Sequence, residues 1–231
     1  MLGERIRWVD IAKGIAIILV VVGHTASSSV REIIYIFHMP LLFLLSGYTM
    51  KSIANMPNYV KKSAKKLLIP YLIISVVFIG HYLLQKGSYS EFIWSMKRKP
   101  ATILWAASGA ILDSEGNLAS FFDGICRTWF LPTLFCARIM VGMIYKIKIK
   151  SVDVAIVLAM AAIGYVLGVS KLYLPLSFDI ATVAVLFLYL GNLLSKVKAK
   201  IYIFISPIAF FYYAFSDKKW DKNTYGFQAI W

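Results

Sequence analysis

Lys13 and His24 stand eleven residues apart in an apolar stretch running from Trp8 to His24. On a helix, eleven residues make three turns plus about 20°, so both side chains leave from one stripe, roughly 16 Å apart along the axis. Asp10 joins that stripe, about 40° beyond His24. A stretch this apolar can cross most of a bilayer. Ionisable groups sharing one face of a membrane helix must meet protein or water, which makes them functional candidates. The imidazole can take and return a proton near neutral pH. The ammonium can hold an anion.

The chain that must position these groups has 231 residues, 60% of them hydrophobic and only 16% charged. Its mean hydropathy is +0.72, and the apolar residues fall in long runs. These features describe a polytopic membrane protein. The net charge of +14 does not signal a nucleic-acid partner, because the basic residues gather in short segments between apolar runs. Cys126 and Cys136 have no metal or redox spacing. Asp10 and Lys13, with further apolar runs following at once, argue against a cleaved signal peptide.

The pattern predicts an all-α fold: a polytopic transmembrane helical bundle of about seven spans. They are expected near 9–26, 33–50, 67–84, 129–145, 152–169, 177–195 and 201–215. Lysines mark the inner side: Lys51, Lys61, Lys62, Lys65 and Lys66 in a loop over 51–66, then Lys146, Lys148 and Lys150, then Lys196, Lys198 and Lys200. With Arg5 and Arg7 they put the N-terminus inside. Glu32, Glu91, Asp113, Glu115, Asp123 and Asp179 gather on the other side. His24 then falls near the outer end of the first span and Lys13 near its inner end. Residues 85–128 read as an outer loop or re-entrant segment with short helices, and 1–231 as a single membrane domain.

Arg138 lies inside the fourth span. A central arginine costs about 2.5–3.5 kcal/mol on insertion scales, against about 0.3–0.6 returned by each Leu, Ile or Phe. It should face inward and find an anion, either a ligand or a structural partner such as Asp10 or Asp179. Gly164 and Gly168 form a GxxxG match that suits helix packing. Ser46 and Gly47 also suit close helix approach.

The run Arg7–His24 resembles the opening helix of the acyltransferase 3 family of bacterial membrane O-acyltransferases, which carries a basic residue, ten intervening residues and a histidine. Further blocks follow in order. Phe37-His38-Met39-Pro40 through Ser46-Gly47-Tyr48 is similar to the second-helix signature. Lys61 through Ile69-Pro70-Tyr71 is similar to a basic loop leading to a Pro-Tyr helix start, with lysines where the family usually has arginines. Trp129-Phe130-Leu131-Pro132 and Leu174-Pro175-Leu176-Ser177-Phe178-Asp179 resemble later signatures, leaning towards the fucose 4-O-acetylase-like branch. Family members usually have about ten spans, so the chain resembles the first two-thirds of one, truncated at its C-terminus.

The resemblance implies transfer of an acyl group, acetyl in particular, from acyl-CoA to a sugar hydroxyl of a surface polysaccharide or its lipid-linked precursor. The setting is the bacterial cytoplasmic membrane. His24 would be the base, or the site of an acyl-histidine intermediate. His38 would orient His24, touch the sugar or donate to the oxyanion. Lys13, Lys62, Lys65 and Arg138 would hold the donor's phosphates, and Trp129 and Asp179 would meet the acceptor. No bound cofactor and no metal is expected. Bland roles stand beside these: Lys13, Lys62 and Lys65 as topology-setting cations, Asp10 as a helix cap or partner of Lys13, and Trp129 as an interfacial belt residue. Two other readings of the whole are a transporter of a small solute or lipid-linked glycan, with Lys13, Arg138 and His24 along its path, and an inactive fragment. Inverted repeats or paired broken helices would favour the transporter, and the sequence has neither.

Overall fold

The computed structural model describes residues 6–25, 28–85, 128–147, 149–170, 172 and 174–196. Among the described residues every regular element is helical and there are no strands. The helices are α1 (Arg7–Thr25), α2 (Ser28–Tyr48), α3 (Met56–Gln85), α4 (Phe130–Ile144), α5 (Lys150–Val169) and α6 (Phe178–Lys196), with a 3-10 turn over Pro175–Ser177. The expected span at 201–215 and the expected outer segment, apart from Gln85 and Thr128, lie outside the described residues. Two stretches, Ser151–Val169 and Pro175–Lys196, are long and apolar enough to cross a membrane. Phe37–Tyr48 and Phe130–Ile144 are shorter apolar helical stretches.

The basic segment over 51–66 is helical from Met56 onward, which corrects the loop expected there. Asn55 starts the helix: its side-chain oxygen accepts the Asn58 amide at 3.0 Å, and its carbonyl accepts the Tyr59 amide at 3.0 Å. This is an N-cap, followed by a proline inside the first turn. Lysine is a good helix former, so the charges do not interrupt the helix. Pro70 lies inside α3 rather than at its start. At 30 residues α3 is about 45 Å long, well beyond the roughly 30 Å of bilayer hydrocarbon.

The described chain forms two compact units, divided within α6 after Val185. The first holds α1, α2 and α6 from Leu186 onward. Here α1 buries a narrow stripe of small residues, Val9, Ala12, Ala16 and Gly23, and leaves Ile11, Ile15, Ile17, Ile18 and Val21 exposed. Such an outer face suits hydrocarbon and not water. Trp8 meets Tyr48 edge-on at 5.0 Å, while Gly23 faces Ile34 and Tyr35. These contacts at opposite ends of α1 make it antiparallel to α2. Against α2 runs α6, also antiparallel. Gly47 lies on the backbone carbonyl of Leu188, and Gly191 lies on that of Leu44. Next to Gly191, the Asn192 side-chain amide reaches past the end of α2 and donates to the Met50 carbonyl at 3.2 Å. The close approach expected at Ser46-Gly47 is thus made by Gly47.

The second unit holds α3, α4, α5, the 3-10 turn and α6 up to Val185. α3 and α4 are antiparallel, with Met56 over Gly142 and Tyr59 on Arg138. α5 buries Asp153, Val157 and Gly164 on one stripe. Gly164 sits against Thr182, Val183 and the Asp179 carbonyl of α6, so the first glycine of the GxxxG match packs helix on helix. Only 17% of the Ser151–Val169 stretch is buried, against 67% of Pro175–Lys196. α5 is therefore much the less buried of the two. Before α6 the backbone turns through two left-handed residues, Leu176 (φ 57°) and Ser177 (φ 50°). Such conformations cost about 1–2 kcal/mol each for residues bearing a Cβ. The Leu174 amide donating to Asp179 Oδ1 at 3.2 Å closes the turn.

A Cβ at position 47 or 191 would run into main chain, which cannot move aside as a side chain can. Gly47→Ala and Gly191→Ala should each cost about 1–3 kcal/mol. The thermal midpoint of the purified protein in detergent checks this. Gly14→Ala is the control: with nothing within 4 Å of its Cβ, it should leave the midpoint unchanged or raise it.

Candidate functional site

In the first unit, α1 runs without interruption through positions 13 and 24, so the stripe inferred from their spacing exists on a real helix. Taking the buried residues of α1 as its inner face, both positions flank that face, within about 20° of each other. Lys13 is half-buried and donates to Thr49 Oγ1 at 3.2 Å. Thr49 follows the last turn of α2, and its hydroxyl is shared between the carbonyls of Leu45 (3.2 Å) and Ser46 (3.1 Å). The ammonium is therefore held at a helix C-terminus, where the peptide dipoles favour a cation. Asp10 is exposed.

His38 is buried on α2, and its Nδ1 lies 2.7 Å from the Ile34 carbonyl. A carbonyl can only accept, so Nδ1 carries the proton and Nε2 is the basic nitrogen of the neutral ring. The Tyr35 ring stacks obliquely on the imidazole, with centroids 5.3 Å apart at 37°. The same tyrosine packs on Gly23, beside His24. Residues 34 and 35 come level with position 23, so position 38 lies about one helical turn closer to the Lys13 end. α1 and α2 thus bring Lys13, position 24 and His38 onto one antiparallel helix pair.

The other sequence-derived candidates belong to the second unit. Arg138, half-buried on α4, donates from Nε to the Tyr59 hydroxyl at 3.0 Å, with its guanidinium carbon 5.7 Å from the centre of the tyrosine ring. Among the described residues no carboxylate pairs with it. Its described side-chain partner is a phenol. Lys62 and Lys65 are exposed on α3. Lys62 follows Tyr59 by three residues and stays near its face, whereas Lys65 is turned about 120° away and Lys66 only about 20°. Trp129 heads α4 and is 8% exposed, which leaves little of its ring open to a sugar. Its carbonyl accepts the Thr133 hydroxyl at 2.9 Å. Asp179 is buried and occupied by the turn it closes.

Three residues outside the sequence-derived set prove to hold candidates in place: Thr49, Tyr35 and Tyr59. Thr49 had a signal, because two helices joined by a very short connection must bring the end of the second back to the start of the first. Tyr59 had none beyond preceding a basic run.

A family model described as an acyltransferase domain, that of the acyltransferase 3 family, matches residues 6–217. The chain belongs to that family, whose members are membrane proteins. No curated protein and no solved structure matches the chain.

The Lys13–Thr49 hydrogen bond is half-buried and charge-assisted. A double-mutant cycle of Lys13→Met and Thr49→Val should give a coupling of about 1 kcal/mol, read from unfolding in detergent. A coupling indistinguishable from zero would mean that the bond contributes nothing to the α1–α2 pair.

Proposed function

We propose that this protein is a membrane O-acyltransferase, an O-acetyltransferase in particular, that moves the acyl group of acyl-CoA onto a sugar hydroxyl of a surface glycan or its lipid-linked precursor. The family match over most of the chain carries this reading. It gains support from the unbroken helix through positions 13 and 24, which keeps a cation and an imidazole on one stripe. In the reaction, His24 takes the proton of the sugar hydroxyl as its oxygen attacks the thioester carbonyl. The carbon–sulfur bond then breaks, and the departing sulfur receives a proton to leave as the CoA thiol. Lys13, fixed by Thr49, faces the phosphates of the donor. Within the second unit, Arg138, Lys62 and Lys65 are cations of the kind that suits a phosphate ester.

His38 has a narrower role than the sequence allowed. With Nδ1–H given to the Ile34 carbonyl, its neutral ring accepts at Nε2 and does not donate there. In that form Nε2 suits accepting a hydrogen bond rather than donating to an oxyanion. α1 runs from the cytoplasmic face outward in the bacterial inner membrane, which puts the base on the acceptor side and Lys13 on the donor side.

His24→Ala should lower acyl transfer to glycan by about 10²–10⁴-fold with the protein still inserted and folded. Mass spectrometry of surface glycan from cells carrying either form provides the measurement. Undiminished acylation in the variant would exclude His24 as the base. An identical glycan mass with and without the wild-type gene would remove the acyltransferase reading altogether.

A further inference from the structure

Arg138 is a half-buried charge held by a neutral partner, and its surroundings specify what it lacks. A half-buried guanidinium in an apolar helix demands either a counter-charge or a ligand. Among the described residues it meets neither acid nor carbonyl. It meets Tyr59, whose hydroxyl accepts from Nε at 3.0 Å and whose ring lies under the guanidinium carbon, 5.7 Å from it to the ring centre. The two contacts restrain the group in different ways: the hydrogen bond fixes rotation about the Nε side, and the ring covers one flank of the plane. The edge carrying the two Nη amines is the one that matches two oxygens of a phosphate. Lys62 and Lys66 continue the Tyr59 face of α3 at three and seven residues, and both are exposed. Their charges bias that side of α3 towards an anion.

We infer that Tyr59 is a positioning residue that aims the Nη edge of Arg138 at a phosphate ester. The proposal rests on the acyltransferase reading only for the source of that ester, the nucleotide end of CoA. An anionic lipid headgroup presents the same chemistry, and the two sources are separable by experiment. A tyrosine serves here better than an acid. A carboxylate would neutralise the guanidinium and occupy its fork, whereas a phenol orients it and leaves the charge intact.

The test uses the full chain in lipid nanodiscs and needs no turnover. Binding of CoA is measured by calorimetry for the wild type, Tyr59→Phe, Arg138→Lys and the double variant, with pantetheine, which lacks every phosphate, as the comparison probe. Tyr59→Phe keeps the ring and its packing, so the fold should survive, which the thermal midpoint verifies. It should weaken CoA binding by about threefold to tenfold and leave pantetheine binding unchanged. Arg138→Lys should weaken it more, because the planar fork is lost. In the double variant the tyrosine substitution should add nothing, since there is no fork left to aim. Equal CoA affinity in the wild type and Tyr59→Phe would overturn the inference, as would independent, multiplying losses in the double variant. Nanodiscs of phosphatidylcholine alone are then compared with nanodiscs containing phosphatidylglycerol. The Tyr59 effect on CoA should persist in both. If the variants change only the retention of phosphatidylglycerol, the donor assignment is overturned. A chain that transfers no acyl group yet binds CoA in a Tyr59-dependent way would refute the acyltransferase reading and keep this one. An active chain with Tyr59-independent CoA binding would do the reverse.

Discussion

The contact on which the first unit depends is one of main chain against main chain. Gly47 and Gly191 are reciprocal: each lies on the carbonyl of a leucine in the opposing helix, Leu188 and Leu44. In lipid, hydrophobic burial offers little gain when two helices meet, because the tails are as apolar as leucine itself. Association then rests on close van der Waals fit and on polar contacts that only short distances permit. The two glycines create that distance, and the Asn192 amide reaching the Met50 carbonyl exploits it. With α2 set against α6 in this way, the C-terminal turn of α2 has a defined place, and so has Thr49, which holds Lys13.

The same economy of side chains recurs elsewhere. α1 turns Val9, Ala12, Ala16 and Gly23 inward and its isoleucines, Val21 and Val22 outward, an inversion of the pattern in a water-soluble helix. In the second unit Gly164 brings α5 against the first turns of α6. Small residues thus make the closest helix contacts in both units. An aromatic or hydroxyl group meets each of three candidates: Tyr35 on His38, Thr49 on Lys13, Tyr59 on Arg138.

Helical class was legible in the sequence because apolar runs of this length leave few alternatives, and the stripe joining positions 13 and 24 was legible because helical geometry is regular. The packing glycine at 47 was also readable from the small pair Ser46-Gly47. The basic segment was misread for a physical reason. Hydropathy locates where a chain leaves lipid, not where a helix begins, and the signals that do mark the start, Asn55 and Pro57, lay outside the apolar run. Arg138 shows a different limit. That it needs a polar partner follows from its cost in an apolar helix, but whether the partner is an acid, a phenol or a ligand depends on the register of α3 against α4, which no local pattern encodes. The left-handed pair Leu176-Ser177 was equally invisible, since neither residue type favours that conformation.

Because the lysines before Leu67 ride on a helix, their spacing is angular information. In a loop, one inserted residue would shift a charge by a few ångströms and the chain would absorb it. In the first turns of α3, the same insertion would swing everything on its N-terminal side by about 100° around the axis. Tyr59 would leave the side facing α4, and the cations beyond it would point elsewhere. This stretch therefore behaves as a camshaft, tolerant of exchanges among basic residues and intolerant of any change in their number.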